Sequence, residues 1–257
     1  MQPIASPTTS QPAIRRYQQK CFREYNASVG LPDPYTYPDG NPIRPVVPVQ
    51  TARGGLMIVG AYPSARFEAR FSARHPKRRR LIPVADNLQP FAEEQYFDGQ
   101  QVRTLTSGDG LREYLLNPLG LRLEDCWVTD LVKVFLYKPD HVDSCGDATP
   151  NFRVPQLRSE FLKLAAGSLK WLCTECELCR PKLVLTLGQE VAQAVTGEHS
   201  AKAEDLLKRP VSRLKLIGGW PTLFLPHPDA CRRSAKWRQN IDLRLNEVRP
   251  LLPTRQQ

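Results

Sequence analysis

The chain has 257 residues, a formal net charge of +10 and a pI of about 9.4, with 36 Lys and Arg against 26 Asp and Glu. This length suits one large α/β domain and excludes two of ordinary size joined by linkers. The excess of basic residues favours a polyanionic partner. The alternative is that the positive charge only keeps the protein soluble.

The first 54 residues are predicted to form a proline-rich extension. Nine of the 24 prolines fall in the first 50 residues. The stretch 31–49 (LPDPYTYPDGNPIRPVVPV) repeats turn signals without apolar periodicity, so we expect it to wrap over the domain as an extended arm. Residues 11–27 ahead of it have the pattern of one helix.

From residue 55 the pattern changes to short apolar runs separated by helical stretches, which is typical of a parallel sheet. The runs are GLMIVGA (55–61), CWVTDLVKV (126–134), KLVLTLG (182–188) and PTLFLPH (221–227). Residues 107–120 and 155–179 have helical patterns. Residues 55–257 are therefore predicted to form a three-layer α/β/α sandwich around a four-stranded parallel sheet. Ligands bind beyond the carboxyl ends of such strands, where these runs should converge.

A basic segment, RFEARFSARHPKRRR (66–80), follows the first run. Its spacing is roughly helical, which would present arginines to a polyanion and Phe67 and Phe71 to the core. The alternative is that the charged side chains of this segment only contact water and bind no partner.

The four strand ends resemble, in order and spacing, the motifs of the uracil-DNA glycosylase superfamily. GAYPSARF (60–67) is similar to the first motif, a Gly-x-x-Pro turn that carries the water-positioning residue and part of the base pocket. VTDLVK (128–133) resembles the segment that reads the base edge, and 180–197 resembles the third strand with its helix. HPDACRR (227–233) resembles the last motif, with a loop that enters the minor groove.

The resemblance implies a hydrolase, a monofunctional DNA N-glycosylase that flips a base out of the stack and into a strand-end pocket. Its expected partner is DNA, with no membrane partner and a monomeric state. No apolar run approaches the roughly 20 residues that cross a bilayer, and the start lacks a secretory signal core, so we expect a cytoplasmic, nucleoid-associated protein. The alternative is a catalytically inactive nucleic-acid-binding member of the same fold.

His227 is the predicted catalytic residue, because an imidazole at a strand end can donate a hydrogen bond to the departing base oxygen. The first motif departs from the family, since Ala61 and Tyr62 provide no carboxylate to orient water. Asp86 and Asn87 are the nearest candidates for that task, unless they only form a loop turn. The predicted base-binding residues are Gly60, Tyr62, Pro63, Phe91 and Asp130.

Asp130 stands where uracil readers carry Asn. An Asn amide can donate to uracil O4 and accept from N3–H, which an ionised carboxylate cannot do. A carboxylate instead accepts from the N4 amino group of cytosine. Asp130 therefore suggests a cytosine-type substrate, with or without a modification, unless its carboxyl is protonated, binds water or only caps the next turn.

Two further sets of residues complete the predicted site. The predicted DNA-binding residues are Arg66, Arg70, Arg78, Arg79, Arg232, Arg233 and Lys236. The candidate metal ligands are Cys145, Cys173, Cys176 and Cys179. Four thiolates could hold zinc or an iron–sulfur cluster, although catalysis requires neither and thiols three apart on a helix also pack as small apolar residues. Some superfamily members carry a 4Fe–4S cluster, but their ligand pattern does not transfer to this chain.

Overall fold

The structure, a computed structural model, describes residues 10–91, 95–97, 100–104 and 106–252. Within these ranges the helices are α1 (Ser10–Ser28), α2 (Thr106–Leu111), α3 (Pro139–Ala148), α4 (Phe161–Cys179), α5 (Gln189–Thr196), α6 (Ala203–Leu207), α7 (Pro228–Arg233) and α8 (Ala235–Val248). The strands are β1 (Leu56–Gly60), β2 (Ala65–Phe71), β3 (Arg79–Asp86), β4 (Gln95–Phe97), β5 (Val102–Thr104), β6 (Trp127–Asp130), β7 (Leu183–Leu187), β8 (Ser212–Leu214) and β9 (Trp220–Leu225).

The central sheet has the order β6-β1-β7-β9-β8. Its first four strands are parallel neighbours and correspond to the four predicted runs. The predicted sandwich is confirmed, but the strand count is wrong, because the described part of the sheet has a fifth strand. This strand, β8, is short and runs antiparallel to β9 at the edge. Its three residues are too few to show an alternating pattern in the sequence.

The sheet is covered on both faces, as the near-continuous apolar runs require. Along β1, Met57 and Val59 pack into one core with α1, α4 and α5. Leu56 and Ile58 face the opposite core, which includes residues of α2 and α8. Successive side chains of a strand point to opposite faces, so each parallel strand contributes to both cores.

The N-terminal extension belongs to the first of these cores. Tyr37 and Ile43 are fully buried there, although they lie in the proline-rich arm. The Val46 N–H donates to the Lys133 carbonyl at 2.7 Å, which fixes the arm beside the end of β6. The arm therefore packs against the domain and supplies side chains to its core.

The basic segment is a β-hairpin, so the predicted helical spacing is wrong. β2 and β3 pair antiparallel from Ala65↔Asp86 to Phe71↔Arg79. The sequence of β2 alternates, with Arg66 and Glu68 exposed and Phe67 half-buried between them. Pro76 lies in the connecting turn, where it would interrupt a helix.

The three predicted helical segments are present with local differences, and the first of them, 11–27, is α1. Helix α2 continues as a π-helical turn (Arg112–Leu116), and α4 occupies the third predicted segment. The expected loop after His227 is instead the short helix α7, in which Cys231 is buried and directed to the Trp237 carbonyl. Among the described helices, none has the length and apolar character that a membrane span requires.

Candidate active site at the strand ends

A cavity of about 590 Å³ opens at the carboxyl ends of the parallel strands. Each of the four strand ends contributes to its wall: Tyr62 after β1, Asp130 at the end of β6, Gly188 after β7 and His227 after β9. The convergence predicted from the sheet pattern therefore occurs, and the volume lies within the range of small-molecule sites.

Gly60 does not itself line the cavity, but two residues that do line it approach its backbone closely. A Cβ atom at this position would lie 2.2 Å from the Asp130 Oδ1 and 2.9 Å from the Phe91 ring. The carboxylate and the ring therefore both press against the Gly60 backbone. Any side chain here would displace them, which accounts for the glycine at the end of β1.

Phe91 has a φ of 55°, in the left-handed region that bulky residues rarely adopt. Its ring lines the cavity. Strained backbone of this kind costs about 1–3 kcal/mol and concentrates at ligand sites. The conformation thus supports the prediction that Phe91 provides a flat apolar surface for a ligand.

The Asp130 side chain is buried, with 3% of its residue surface exposed. Its carboxylate has no hydrogen-bond partner among the described residues. Burial raises the pKa of Asp130 to about 7, and the nearby Lys133 partly opposes this rise while Glu175 adds to it. Near neutral pH, some molecules therefore have a protonated Asp130, which can donate a hydrogen bond, and the others have an ionised Asp130, which can only accept one.

A buried ion pair holds the backbone on which Asp130 stands. The Lys133 Nζ lies 2.8 Å from the Glu175 Oε1, and both side chains are fully buried. The same ammonium donates to the Thr129 hydroxyl and to the Asp130 carbonyl, each at 2.6 Å. The Tyr17 hydroxyl also donates to Glu175 Oε1 at 2.5 Å. This network joins α1 and α4 to the end of β6.

His227 is the residue before α7 and caps that helix. Its Nδ1 accepts a hydrogen bond from the Asp229 N–H at 3.2 Å. Burial lowers the pKa of His227, so the imidazole is neutral at pH 7. Because Nδ1 is the acceptor, the proton of the neutral ring is on Nε2, which is available as a donor.

The two predicted water-positioning candidates differ in their surroundings. Asp86 accepts from the Tyr37 hydroxyl at 2.8 Å and from the Arg44 N–H at 3.1 Å, so its carboxylate anchors the N-terminal arm and does not line the cavity. Asn87 lines the cavity, is 8% exposed and has a buried Oδ1 without a partner. Buried polar atoms are rarely left unpaired, so Asn87 is the better candidate.

Tyr62 forms part of the wall without filling the cavity. The Arg158 guanidinium lies 5.2 Å from its ring centroid, and Phe161 packs beside it. Arg158 also pairs with Glu190 at 2.5 Å. Space for a ligand therefore remains beside Tyr62 and Pro63.

His141 also lines the cavity, although sequence reasoning did not select it. It lies in the first turn of α3, where its Nδ1 accepts from the Lys138 N–H at 3.4 Å. Its ring stacks on Phe135 with a centroid distance of 5.4 Å. The signal in the sequence was a histidine soon after the β6 strand end, in KPDH (138–141).

The predicted DNA-binding residues fall into two groups. Arg66, Arg78, Arg79, Arg232 and Arg233 are exposed. Arg70 instead pairs with Asp39 of the N-terminal arm at 2.5 Å, and Lys236 pairs with Glu204. For these two residues the structure shows intramolecular roles that the sequence did not indicate.

The four candidate metal ligands are not brought together. The Cys173 Sγ is directed to the Leu216 carbonyl, Cys176 to the Met57 sulfur and Cys179 to the Ala52 carbonyl. Cys145 is buried in α3, and burial raises its thiol pKa to about 12. In the described ranges no three His, Cys, Asp or Glu side chains are placed to hold a metal ion. The expectation of a four-thiolate site has no geometric support, because Cys145 lies on α3 and successive turns of α4 separate the other three sulfurs.

The buried ion pair leads to a stability prediction. The variant Lys133→Met leaves the Glu175 carboxylate buried without its cation, which should lower the free energy of unfolding by about 3–5 kcal/mol. The double variant Lys133→Met with Glu175→Gln should recover most of that loss. Urea unfolding followed by circular dichroism measures the free energy of unfolding of the wild type, of both single variants and of the double variant. If the effects of the two single changes simply add, the pairing is contradicted.

A second prediction concerns Asp130. The folded chain retains the Asp130 proton up to about pH 7, whereas an unfolded aspartate with the ordinary pKa of 3.8 loses it far earlier. This group therefore lowers wild-type stability progressively as pH rises to 7, by up to about 4 kcal/mol. Asp130→Asn should become more stable than wild type over this interval, as measured by urea unfolding at pH 5 and pH 8. The exposed control Asp242→Asn should show no such divergence.

The geometry agrees with comparisons to known proteins. The family model of the Uracil DNA glycosylase superfamily matches residues 48–248, a range that includes all four strand ends and most of the chain. No curated protein matches the sequence. On the extent of the family match and the convergence of its strand ends on one cavity, the chain belongs to the uracil-DNA glycosylase superfamily.

Proposed function

We propose that the chain is a monofunctional DNA glycosylase that hydrolyses the N-glycosidic bond of a base extruded into the strand-end cavity. Members of the superfamily are typically DNA glycosylases, which supports this activity at the family level. The observation that carries the proposal is that Asp130 and His227 line one cavity, the first as a buried carboxyl and the second as a neutral imidazole.

His227 stabilises the leaving group in this mechanism. As the glycosidic bond breaks, negative charge develops on the base, and the Nε2–H of the neutral imidazole donates to the base oxygen. The cap bond from the Asp229 N–H to Nδ1 holds the ring in this tautomer. Donors of this type contribute about 10²–10³-fold in rate when they are positioned in advance.

Asp130 reads the edge of the base. The ionised carboxylate accepts from the N4 amino group of cytosine. The protonated carboxyl has one donor and one acceptor, as an Asn amide does, and therefore matches uracil O4 and N3–H. With a pKa of about 7, Asp130 provides both forms near neutrality. The substrate class is thus uracil at lower pH and a cytosine-type base at higher pH.

Asn87 is the proposed group that positions the attacking water. Asn87 lines the cavity, and its amide can hydrogen-bond a water there, whereas Ala61 and Tyr62 of the first motif have neither an amide nor a carboxylate side chain. Phe91, beside Gly60, would stack on the base.

The second candidate function is a nucleic-acid-binding protein without turnover. The lack of a carboxylate in the first motif favours it, because neither Ala61 nor Tyr62 can act there as a general base that deprotonates water. Fold alone does not separate the two candidates.

Measuring base release from labelled oligonucleotides distinguishes the glycosylase from the binding protein. The substrates contain uracil, cytosine, hypoxanthine or bulky 5-substituted cytosines. His227→Ala should lower the release rate by about 10²–10³-fold at saturating DNA, because it removes the donor to the leaving group. His199→Ala, an exposed histidine outside the cavity, is the matched control and should retain the wild-type rate. No release from any substrate, with salt-sensitive binding retained, would favour the binding protein.

The pH dependence tests Asp130. Wild-type protein should release uracil faster at pH 6 than at pH 8 and a cytosine-type base faster at pH 8, because the protonated carboxyl is lost as pH rises through about 7. Asp130→Asn should release uracil with little dependence on pH over this range and should lose the cytosine-type activity. Uracil release by the wild type that does not change between pH 6 and pH 8 would reject this role of Asp130.

A further inference from the structure

A second cavity, of about 970 Å³, lies between the turn of the β2–β3 hairpin and α3 with its following loop. The hairpin contributes Arg74, Arg78 and Arg80 to its wall, and the loop contributes Arg153. We refer to this cavity as the arginine groove. It is separate from the strand-end cavity, and the two have no lining residue in common.

The groove carries a net positive charge, and some of its arginines form no ion pair with described residues. Two aspartates, Asp143 and Asp147, face the four arginines. Asp147 is already neutralised, because Arg80 pairs with it at 2.5 Å and the Ser72 hydroxyl donates to it at 2.8 Å. The exposed side chains of Arg74 and Arg78 have no ion pair with any described residue. They are available to a ligand that carries negative charge.

The turn that presents these two arginines is held in place by backbone hydrogen bonds. The Ala73 N–H donates to the Asp147 carbonyl at 2.9 Å, which ties the turn to the end of α3. The Ser72 N–H donates to the Arg78 carbonyl at 2.8 Å and closes the turn itself. A charged surface on a fixed turn loses less conformational entropy on binding than one on a mobile loop.

The elements that form the groove also reach the strand-end cavity. Phe67 of β2 and His141 of α3 line that cavity, whereas Ala73 and Asp147 line the groove. The six residue steps from Phe67 to Ala73 span about 20 Å along the hairpin, and the six from His141 to Asp147 span about 9 Å along the helix. One DNA strand advances 3.4 Å per nucleotide, so this separation corresponds to about three to six nucleotides.

We propose that the arginine groove binds the phosphodiester backbone of the substrate DNA, about three to six nucleotides from the extruded base. The inference takes its ligand, DNA, from the proposed function, and it adds a second place at which the protein contacts that DNA. Guanidinium groups bind phosphate oxygens through several parallel hydrogen bonds, and contacts of this kind set the register of a protein on DNA without reading sequence. Arg74 and Arg78 make these contacts, while Arg80 and Asp147 hold the wall behind them.

The test is duplex binding by fluorescence anisotropy as a function of salt concentration. The double variant Arg74→Ala with Arg78→Ala should weaken binding of a duplex of about 24 base pairs with a central target base by about tenfold at low salt. The slope of log affinity against log salt should fall in magnitude by about 1.8, as expected for two lost phosphate contacts. On a duplex that ends about two base pairs either side of the target, the variant should bind as the wild type does.

The matched control is Arg15→Ala with Arg23→Ala, which removes two exposed arginines of α1 and the same net charge. It should leave the affinity and the salt slope for the long duplex unchanged within about twofold. Base release by the groove variant at saturating DNA should equal that of the wild type, because no group in the strand-end cavity is altered.

Four outcomes separate the possibilities. An unchanged salt slope and affinity for the groove variant on the long duplex would overturn the inference, and so would an equal loss on the short duplex. Groove-dependent binding of a glutamate-rich peptide, with duplex binding unchanged, would assign the groove to an acidic protein instead. Groove-dependent duplex binding without base release from any substrate would support this inference and reject the proposed function.

Discussion

The strand-end site depends on the buried ion pair between Lys133 and Glu175. An ammonium without solvent contact requires three acceptors, and here they are the Glu175 carboxylate, the Thr129 hydroxyl and the Asp130 carbonyl. These acceptors belong to α4 and the end of β6, and Tyr17 adds α1 through Glu175. The cost of desolvating the pair is offset only in this geometry, so the position of the Asp130 backbone is strongly specified.

The same burial determines the electrostatics of the cavity. Desolvation raises the pKa of Asp130 to about 7 and lowers that of His227, so both groups tend toward their neutral forms. A neutral donor and a neutral carboxyl form a suitable environment for an uncharged base, whose negative charge develops only as the bond breaks. The excess of positive charge lies elsewhere, on exposed arginines that phosphates can reach.

The local sequence pattern predicts the structure correctly where it agrees with the tertiary environment, and incorrectly where the two diverge. The four buried strands were recognised because strands covered on both faces are continuously apolar. The spacing of arginines and phenylalanines over residues 66–80 predicts a helix, but residues four apart, such as Arg66 and Arg70, also lie on one face of a strand, and the segment forms the hairpin of β2 and β3. Arg70 and Lys236 have intramolecular partners, Asp39 and Glu204, that are distant in sequence and that no local pattern indicates.

The amino-acid pattern alone indicates the class of the fold, the four strand ends and two residues, Asp130 and His227, that line the cavity. These follow from periodicity and from the rule that parallel strands present their carboxyl ends on one side. Three features follow from the packing of distant elements: Asn87 and not Asp86 faces the cavity, His141 also lines it, and the cysteine sulfurs lie apart. Whether a side chain faces a cavity depends on residues far away along the chain, such as Tyr37 for Asp86, and these contacts form only when the elements pack.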